Sequence, residues 1–517
     1  MKYLPKNVVV VLCCCLLTSI NLFAQAPVDK KAKQAFSTEY RSLIIFFDGL
    51  RPDYITEETM PNLYAFKKQH AYGKQHHSVF PTVTRVNASS YATGSYPGTH
   101  GLMGNTVYFP KVDAVKGLNT GDVEDLNKIN KATGGQLLTS TSLGEVLKNV
   151  GAEMMVFSSG STGQAMMQNH TLAGPIINPG FIFPDGVKQK VITEIGVLPP
   201  TTKGTAQKHI WITDALLKYG ITMDGPLVSA IWFSDPDGMA HSDGIGSPTA
   251  MQSIKVVDEQ FGRILNDLKQ KNLDQKFNII ISTDHGFVTH VGKDGIAEFL
   301  IEKGLKKDKD SDDVVVVEGA IYVKNHNKII IKNIVEALQA QDWIGAIFTK
   351  GATKGAVRGH VAGTFSFETI HWDHKRSGDI LVDRNWNDRK NAAGYAGTSF
   401  SKGVAGHGGL SPYEVNIPLI VAGPSFLKST EVNMPTSNVD IVPTILFLHK
   451  VKIPVSMDGR VMNDFLVKPS KAVVVKPTTE TITTSHKLPD GKTYELSLNR
   501  TQFGKYFYVN YSKVKRS

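Results

Sequence analysis

Five short runs of apolar residues along the chain contain no charged residue in their interior. Each run has the length of a single strand, and uninterrupted apolar character is typical of strands buried on both faces of a parallel sheet. The runs cover residues 42–48, 153–158, 226–234, 276–284 and 417–423. They predict the inner strands of one sheet.

Helical patterns lie between these runs. In residues 248–271, apolar side chains follow three- and four-residue spacing from Ile254 to Leu268, and Pro248 stands at the start. Weaker patterns of the same kind occur at 61–69, 142–150, 206–219, 329–339 and 438–449. Strands that alternate with helices predict an α/β fold, in which helices sandwich a mostly parallel central sheet.

Two stretches do not fit this pattern. Residues 345–405 are rich in Gly, Asn, Trp and charged residues, and we expect them to form a smaller inserted cap region over the site. Residues 468–517 resemble short strands, with a turn at 489–492, and predict a β-rich C-terminal extension. The expected organisation is therefore a catalytic domain at 27–467, with an insertion at about 345–405, followed by this extension.

The composition excludes several classes of protein. The chain has 517 residues and a formal charge of +10. Its fractions of hydrophobic residues, 41%, and of charged residues, 20%, are typical of globular proteins. Disordered, collagen-like and coiled-coil proteins differ from this composition. Lysine and arginine are scattered without interleaved aromatic residues, so we expect no nucleic-acid polymer as a partner.

The first 26 residues are typical of a secretory signal peptide. Lys2 and Lys6 precede an apolar run at 8–17, and Ala24 and Ala26 form an A-x-A cleavage site. The run is shorter than the roughly 20 residues that span a bilayer, and each cysteine follows a leucine or a cysteine, which disfavours a lipoprotein. We expect an exported protein, periplasmic or secreted, with no stable membrane insertion after cleavage. Its three cysteines, residues 13–15, would leave with the signal.

Acidic and imidazole side chains follow three of the five predicted strands. Because ligands bind at the carboxyl ends of parallel strands, these side chains are expected to converge at one edge of the sheet. Carboxylates and imidazoles together are the ligands of Zn²⁺ and similar ions. The candidates, with a histidine from a later glycine-rich segment, are Asp48, Asp237, His241, Asp284, His285 and His407.

A candidate nucleophile lies in residues 80–105, where Thr84 precedes a T-G-x-x-P stretch at 93–97 and a G-x-x-x-N stretch at 101–105. Further motifs follow the same order along the chain: D-G-x-R at 48–51, D-x-x-x-H at 237–241, D-H-G at 284–286 and H-G-G at 407–409. With these motifs, residues 40–465 resemble the alkaline phosphatase superfamily, closest to its nucleotide pyrophosphatase/phosphodiesterase branch.

The resemblance implies a role for each residue. Thr84 matches the nucleophile, and Asn105 matches a residue whose amide donates to a phosphoryl oxygen. The resemblance implies two divalent ions, expected to be Zn²⁺. One would be bound by Asp48, Asp284, His285 and Thr84, and the other by Asp237, His241 and His407. Thr84 would attack phosphorus in line and form a phospho-threonine, which a water activated at the second ion would hydrolyse.

Each residue also has an ordinary structural explanation. Asp48 and Asp284 could end strands, Thr84 could cap a helix, Asn105 could occupy a turn, and an isolated histidine is most often hydrogen-bonded. The joint pattern favours the metal site, because structural roles would have to explain seven residues separately. Arg85 could contact an anionic substrate or face solvent. No motif includes Asp235, His76, His77, His371 or His374, and for these we expect structural roles.

The expected substrate is a small phosphodiester or nucleotide. Enzymes of this superfamily that cleave phosphomonoesters need extra positive charge for a dianion, and residues 154–163, which follow the first crossover, contain no Lys or Arg. A phosphomonoesterase and a phosphonate hydrolase stay open, because residues 85–88 depart from the aromatic-Pro-Asn-His that usually follows the nucleophile. From another class, a metal-containing binding protein without turnover is the alternative.

Overall fold

The computed structural model describes residues 36–200, 204, 206–470 and 475–517. The predicted signal peptide at 1–26 lies outside the described residues. Residues 36–517 form one structural unit.

The strands, in chain order, are β1 (Arg41–Phe47), β2 (Ala71–His77), β3 (Thr106–Val107), β4 (Leu118–Asn119), β5 (Met154–Ser158), β6 (Ile176–Asn178), β7 (Phe181–Phe183), β8 (Val228–Phe233), β9 (Phe277–Ser282), β10 (Val288–His290), β11 (Val314–Val317), β12 (Ala320–Val323), β13 (Ile344–Thr349), β14 (Phe365–Ser366), β15 (Ile380–Arg384), β16 (Trp386–Lys390), β17 (Ala396–Ser399), β18 (Ala405–Gly406), β19 (Asn416–Ala422), β20 (Thr430–Val432), β21 (Thr436–Ser437), β22 (Thr478–Lys487), β23 (Thr493–Phe503) and β24 (Tyr506–Arg516).

The α-helices are α1 (Pro61–Gln69), α2 (Thr84–Thr93), α3 (Pro97–His100), α4 (Val123–Ala132), α5 (Leu143–Val150), α6 (Thr162–Met167), α7 (Lys188–Ile195), α8 (Ala206–Ala215), α9 (Asp237–Asp243), α10 (Pro248–Gln270), α11 (Ile296–Glu302), α12 (Lys328–Gln339), α13 (Pro412–Val415) and α14 (Ile441–Leu448). Within the described ranges, no helix is both long enough and apolar enough to cross a bilayer.

The central sheet has the strand order β20-β2-β19-β9-β1-β8-β5-β6-β7, and β21 extends the edge beside β2. Strands β9, β1, β8 and β5 are parallel, as the apolar runs predicted, and β6 adds a further parallel strand that no run marked. The last run forms β19, which is antiparallel to both of its neighbours. The fold is therefore α/β with a mixed, mostly parallel sheet.

Burial on both faces explains why the inner strands are predominantly apolar. In β1, Ile44 and Phe46 point into one hydrophobic cluster, whereas Leu43, Ile45 and Phe47 point into the other. Each large apolar side chain buried in this way contributes roughly 1.5–3 kcal/mol to folding. A polar residue at any of these positions would have no partner, so the whole run must be apolar.

Helix boundaries agree closely with the sequence patterns where a cap is present. Ser142 caps α5 and forms a capping box with Glu145, and Ser247 caps α10 immediately before Pro248. The pattern at 438–449 divides into a 3-10 turn and α14, because Asp440 accepts hydrogen bonds from the backbone of Ser437 and Arg460.

A second layer is built on the five-stranded sheet β11-β12-β15-β13-β14 and has its own hydrophobic cluster. Helix α12 packs there through Ile331, Ile334 and Leu338 rather than against the central sheet. The layer begins at β11, ahead of the insertion expected at about 345–405. An amphipathic pattern does not specify which sheet a helix covers, and for this reason the sequence did not reveal the earlier start.

The C-terminal residues form the antiparallel sheet β22-β23-β24. Strand β24 packs against the rest of the unit: Ser512 N donates to Leu410 O at 3.0 Å, and the Arg516 guanidinium donates to Ile344 O at 2.7 Å. The hydroxyl of Tyr508 donates to Asp440 Oδ2 at 3.0 Å and accepts from Arg460 Nε at 3.1 Å. This buried contact ties the extension to the carboxylate of Asp440, the residue that directly precedes α14.

We predict that Tyr508→Phe lowers the free energy of unfolding by about 1–3 kcal/mol, because the buried Asp440 loses a donor that no water can replace. Urea denaturation measures the change. Tyr506→Phe is the matched control and should change stability by less than about 0.5 kcal/mol. Equal midpoints for the two variants would contradict the role of the Tyr508 hydroxyl.

Candidate metal centre

Three neighbouring strands end at the same level, and an acidic segment follows each of them. Strand β1 lies between β8 and β9, with Phe47 opposite Phe233 and Phe46 opposite Ser282. Backbone bonds continue past the strand ends, since Asp48 N donates to Phe233 O and Asp237 N donates to Asp48 O, both at 2.9 Å. The parallel register therefore brings the three acidic segments together.

The first cluster contains Asp48, Asp284, His285 and Thr84. His285 Nε2 lies 3.0 Å from Asp284 Oδ2, 3.7 Å from Asp48 Oδ1 and 3.2 Å from Thr84 Oγ1. Asp48 Oδ1 and Asp284 Oδ2 are buried, and no described residue donates a hydrogen bond to either oxygen. Two carboxylate oxygens without donors point toward one imidazole nitrogen and one hydroxyl.

The second cluster contains Asp237, His241 and His407. Asp237 Oδ1 lies 3.1 Å from His241 Nε2 and 3.3 Å from His407 Nε2, and the two imidazole nitrogens are 3.1 Å apart. The imidazole ring of His285 stacks on that of His407 with centroids 3.4 Å apart. His285 consequently borders both clusters, and it forms a possible metal-binding group either with Asp48 and Asp284 or with Asp237 and His407.

The tautomers of the three histidines show that a cation fits between the clusters. Nδ1 of His241, His285 and His407 lies 3.0, 3.0 and 2.8 Å from a backbone carbonyl oxygen. A carbonyl only accepts, so Nδ1 carries a proton, and whenever a ring is neutral its Nε2 presents a lone pair to the site. Lone pairs and carboxylates at these separations repel one another, and a metal ion is the partner that satisfies them.

The charges in the clusters shift the pKa values in opposite directions. Burial, together with the charges of Asp284 and Asp237, raises the pKa of Asp48 well above its usual range. Burial also opposes ionisation of Asp237, but the imidazoles of His241 and His407 lower its pKa well below the usual range. Burial and neighbouring His285 lower the pKa of His407 to about 3. His407 is therefore neutral near pH 7, in the state that binds metal.

Thr84 is the first residue of α2, and buried amides hold the segment before it. Asn87 accepts from Val79 N at 2.8 Å and donates to Val79 O at 3.0 Å, and Asn438 Nδ2 donates to Asn87 Oδ1 at 3.1 Å. Sequence reasoning missed both asparagines as positioning residues. Their only signal was that each occurs within a motif region.

Asn105 lies beside the nucleophile candidate. Its side-chain oxygen accepts from the backbone N–H of Arg85 at 2.9 Å, which leaves the amide nitrogen as the remaining donor. Glu318, from the turn between β11 and β12, accepts from the backbone of Asn105 and Thr106 at 3.2 and 2.9 Å. The second layer thus holds the Asn105 loop in place.

Two motif glycines allow close approach at the site. Gly49 has a φ of +72°, and its N–H donates to Asp284 Oδ1 at 3.0 Å. A Cβ on Gly286 would lie 2.0 Å from Tyr413 O, so the D-H-G segment packs directly on the backbone of α13. These contacts explain why a glycine follows the acid in one motif and the histidine in the other.

The residues for which structural roles were expected are placed as follows. The ring of His209 lies 2.6 Å from Asp235 Oδ2. His76 and His77 are buried on β2 against Thr436. The ring of His371 stacks between those of Tyr96 and Phe507, and His374 lies 3.3 Å from Thr139 Oγ1.

A cavity of about 700 Å³ opens onto Thr84, Asn105 and Asp237. Arg85 and Lys208 also line it, although residues 154–163 supply no cation. Lys208 comes from α8, and sequence reasoning missed it because no local motif marks the residue. A second cavity, of about 460 Å³, borders His241 and His407 on the side of the second layer.

An α/β sheet that gathers a helix-initiating threonine, three carboxylates and three imidazoles at its carboxyl edge defines a candidate metal-dependent hydrolase with a hydroxyl nucleophile. Comparison with known families identifies which one. The chain belongs to the type I phosphodiesterase / nucleotide pyrophosphatase family, whose model matches residues 42–392, and is thus a member of a family of phosphoric ester hydrolases.

Curated relatives are distant. Venom phosphodiesterase 2 of Crotalus adamanteus is 26% identical over 256 residues, which cover 48% of this chain and 27% of the relative. Ectonucleotide pyrophosphatase/phosphodiesterase family member 3 of Mus musculus is 26% identical over 252 residues, covering 47% and 24%. Bis(5'-adenosyl)-triphosphatase enpp4 of Xenopus laevis is 24% identical over 254 residues, covering 48% of each chain. The matched region spans at most half the length of these three relatives.

We predict that the purified chain contains two divalent ions and that chelation lowers its melting temperature by several degrees, because the ions bind the native state and neutralise the buried carboxylates. Elemental analysis and thermal denaturation measure both quantities. Asp284→Asn should lose at least one ion, whereas the exposed Asp185→Asn should retain both. Fewer than two ions in active protein would contradict the two-ion site.

Proposed function

We propose that this chain is a two-metal hydrolase that cleaves phosphodiester or pyrophosphate bonds in nucleotide-type substrates, with Thr84 as the nucleophile. The observation that carries the proposal is the position of the Thr84 hydroxyl, 3.2 Å from His285 Nε2 at the start of α2. A binding protein would not need a hydroxyl among the metal ligands.

The donor set fits two divalent ions, and carboxylate with imidazole favours Zn²⁺. Asp48, Asp284, His285 and Thr84 would hold one ion, and Asp237, His241 and His407 the other. When bound, the ions supply Lewis acidity, which makes the threonine oxygen nucleophilic and compensates the negative charge that develops on the departing oxygen.

The residues of the chain supply position and hydrogen bonds. Asn87 and Asn438 fix the segment before Thr84. The backbone of Thr84 is therefore held in place with its hydroxyl oxygen facing the carboxylates. The Asn105 amide donates to a non-bridging phosphoryl oxygen, and the backbone N–H groups at the start of α2 favour an anion at the same place. Attack by Thr84 Oγ1 on phosphorus forms a phospho-threonine and releases the leaving group, and water then hydrolyses the phospho-threonine.

The substrate class in the proposal rests on the family and on the relatives. Three of the matched proteins carry the names venom phosphodiesterase, nucleotide pyrophosphatase/phosphodiesterase and bis(5'-adenosyl)-triphosphatase. The bonds in these names are phosphodiester and phosphoanhydride bonds, and both are attacked at phosphorus by the same type of nucleophile.

Phosphomonoester hydrolysis is the second candidate function. It is favoured by Arg85 and Lys208, which bring two cationic side chains to the cavity beside Thr84. A phosphomonoester dianion carries one more negative charge than a diester, and arginine or lysine is the usual means of binding that charge.

We predict that Thr84→Ala lowers the hydrolysis of bis-p-nitrophenyl phosphate by about a thousandfold or more, because no other hydroxyl replaces the nucleophile. Thr84→Ser should keep part of the activity. Release of nitrophenol measures turnover, and elemental analysis shows whether metal remains. The same change at an exposed helical threonine, Thr193→Ala, is the control and should have no effect. Full activity of Thr84→Ala with both ions bound would assign the nucleophile elsewhere.

Export belongs to the same proposal and rests on the pattern of Lys2, Lys6, the apolar run at 8–17 and the A-x-A site ending at Ala26. We predict that the exported protein begins at Pro27, because small residues at 24 and 26 suit signal peptidase. Mass spectrometry of the amino terminus tests this. Retention of residues 1–26 in the exported protein would contradict cleavage at this site.

A further inference from the structure

The cavity beside Thr84 is polar almost throughout. The described residues that line it include no phenylalanine, tyrosine or tryptophan, so they offer no aromatic ring other than imidazole on which a nucleobase could stack. Its wall consists mainly of short polar side chains, carboxylates and glycine backbone, together with Arg85 and Lys208. This chemistry suits a charged or hydroxylated group better than a flat apolar one.

Arg85 contributes a cation with no partner. Within the described ranges its guanidinium forms neither a hydrogen bond nor an ion pair, and its Nε atom is fully buried. The backbone of the same residue is fixed, because its N–H donates to Asn105 Oδ1 at 2.9 Å. An arginine next to the nucleophile therefore lines the cavity with donors that a bound group can use.

Lys208 contributes a second, buried cation. Its side chain is only 6% exposed, and its Nζ lies 3.9 Å from Asp235 Oδ2. That oxygen is also 2.6 Å from His209 Nε2, and Asp235 Oδ1 accepts from Met239 N at 3.3 Å. Asp235 thus lies closer to the His209 ring and to the backbone at the start of α9 than to the Lys208 ammonium group.

Carboxylates lie near both cations, since the charge of Glu318 acts on Arg85 and Asp235 pairs with Lys208, but within the described residues Glu318 forms no ion pair with Arg85. Asp48 and Asp237 belong to the metal clusters, and Asp122 caps α4 by accepting from Glu124 N at 2.8 Å. With two divalent ions bound, the three cluster carboxylates are already neutralised. Arg85 and Lys208 are then the lysine and arginine side chains that line the cavity and can contact a bound anion.

We propose that Arg85 and Lys208 form an anion subsite, which binds negative charge beyond the single charge of a phosphodiester. The charge is either the third non-bridging oxygen of a phosphomonoester or a second phosphate group attached to the scissile one. The inference rests on the proposed function, and it narrows the substrate to phosphoryl compounds with at least two negative charges near the reacting phosphorus.

Kinetics with three substrates tests the subsite: p-nitrophenyl phosphate, adenosine triphosphate and bis-p-nitrophenyl phosphate, which has no extra charge. Arg85→Gln and the charge-paired variant Lys208→Met/Asp235→Asn should lower kcat/KM about ten- to a hundredfold for the charged substrates and less than about threefold for bis-p-nitrophenyl phosphate. Arg85→Lys should restore part of the loss. The exposed Lys128→Gln removes the same net charge as Arg85→Gln at a distance and is the matched control.

Which charged substrate responds identifies the source of the charge. A loss confined to p-nitrophenyl phosphate assigns the third non-bridging oxygen, and a loss confined to adenosine triphosphate assigns the second phosphate. Equal losses for all three substrates, with native thermal stability, would overturn the subsite. If Lys128→Gln lowered kcat/KM for the charged substrates as much as Arg85→Gln does, the loss would come from the long-range electrostatic field. That result would also overturn the subsite.

Binding gives a result that does not depend on turnover. Isothermal titration calorimetry of the Zn²⁺-loaded protein at alkaline pH measures the affinity for two anions. Arg85→Gln should weaken the binding of inorganic phosphate, a dianion, about tenfold or more, and should leave the affinity for the monoanion dimethyl phosphate unchanged. If the wild type hydrolyses none of the three substrates, the proposed function fails while this comparison still decides the subsite. Unchanged phosphate affinity in both Arg85→Gln and the Lys208 variant would reject the subsite even in an active enzyme.

Discussion

The crowding of hydrogen-bond acceptors at one edge of the central sheet is the constraint on which the rest of the structure depends. Carboxylate oxygens of Asp48, Asp237 and Asp284 face three imidazole nitrogens whose protons all point away, toward backbone carbonyls. These residues form candidate metal-binding groups, and a cation between them would satisfy the carboxylates and the imidazole lone pairs. The apolar strands, the motif glycines and the buried asparagines provide the rigidity that holds these repelling groups together.

This arrangement couples the core to the chemistry. The indole ring of Trp232 stacks on Phe46 with centroids 4.6 Å apart, and its Nε1 donates to Asp48 Oδ2 at 3.0 Å. One oxygen of Asp48 is thus fixed by the hydrophobic cluster, and the other is left for an ion. His285 is arranged in the same way: its Nδ1 is hydrogen-bonded to the backbone, and its Nε2 faces both clusters.

Local patterns predicted those parts of the molecule that depend on neighbours in sequence. Continuous apolar runs correctly predicted β1, β5, β8, β9 and β19, and the helical patterns at 142–150 and 248–271 correctly predicted α5 and α10. The antiparallel direction of β19 could not be predicted, because an apolar run has no direction. The start of the second layer and the membership of α12 in it depend on contacts between distant residues, which no local pattern specifies.

The candidate site divides in the same way. Ordered motifs pointed to the eight candidate residues, whereas Lys208 and the two positioning asparagines emerged only from the folded chain. The absence of a cation in residues 154–163 suggested a cavity with little positive charge. Arg85 and Lys208 instead reach the cavity from α2 and α8. A side chain's charge is local, but the cavity that it enters is a property of the whole fold.

The position of β1 between β8 and β9 has a consequence for how the molecule folds. β1 is the first described strand, yet its partners comprise residues 228–233 and 277–282. During synthesis, its apolar side chains and both of its backbone edges stay without their native partners until most of the sheet has been made. Such long-range pairing slows folding and leaves the nascent chain dependent on protection from aggregation. The strand that organises the finished site is thus the one most vulnerable before the site exists.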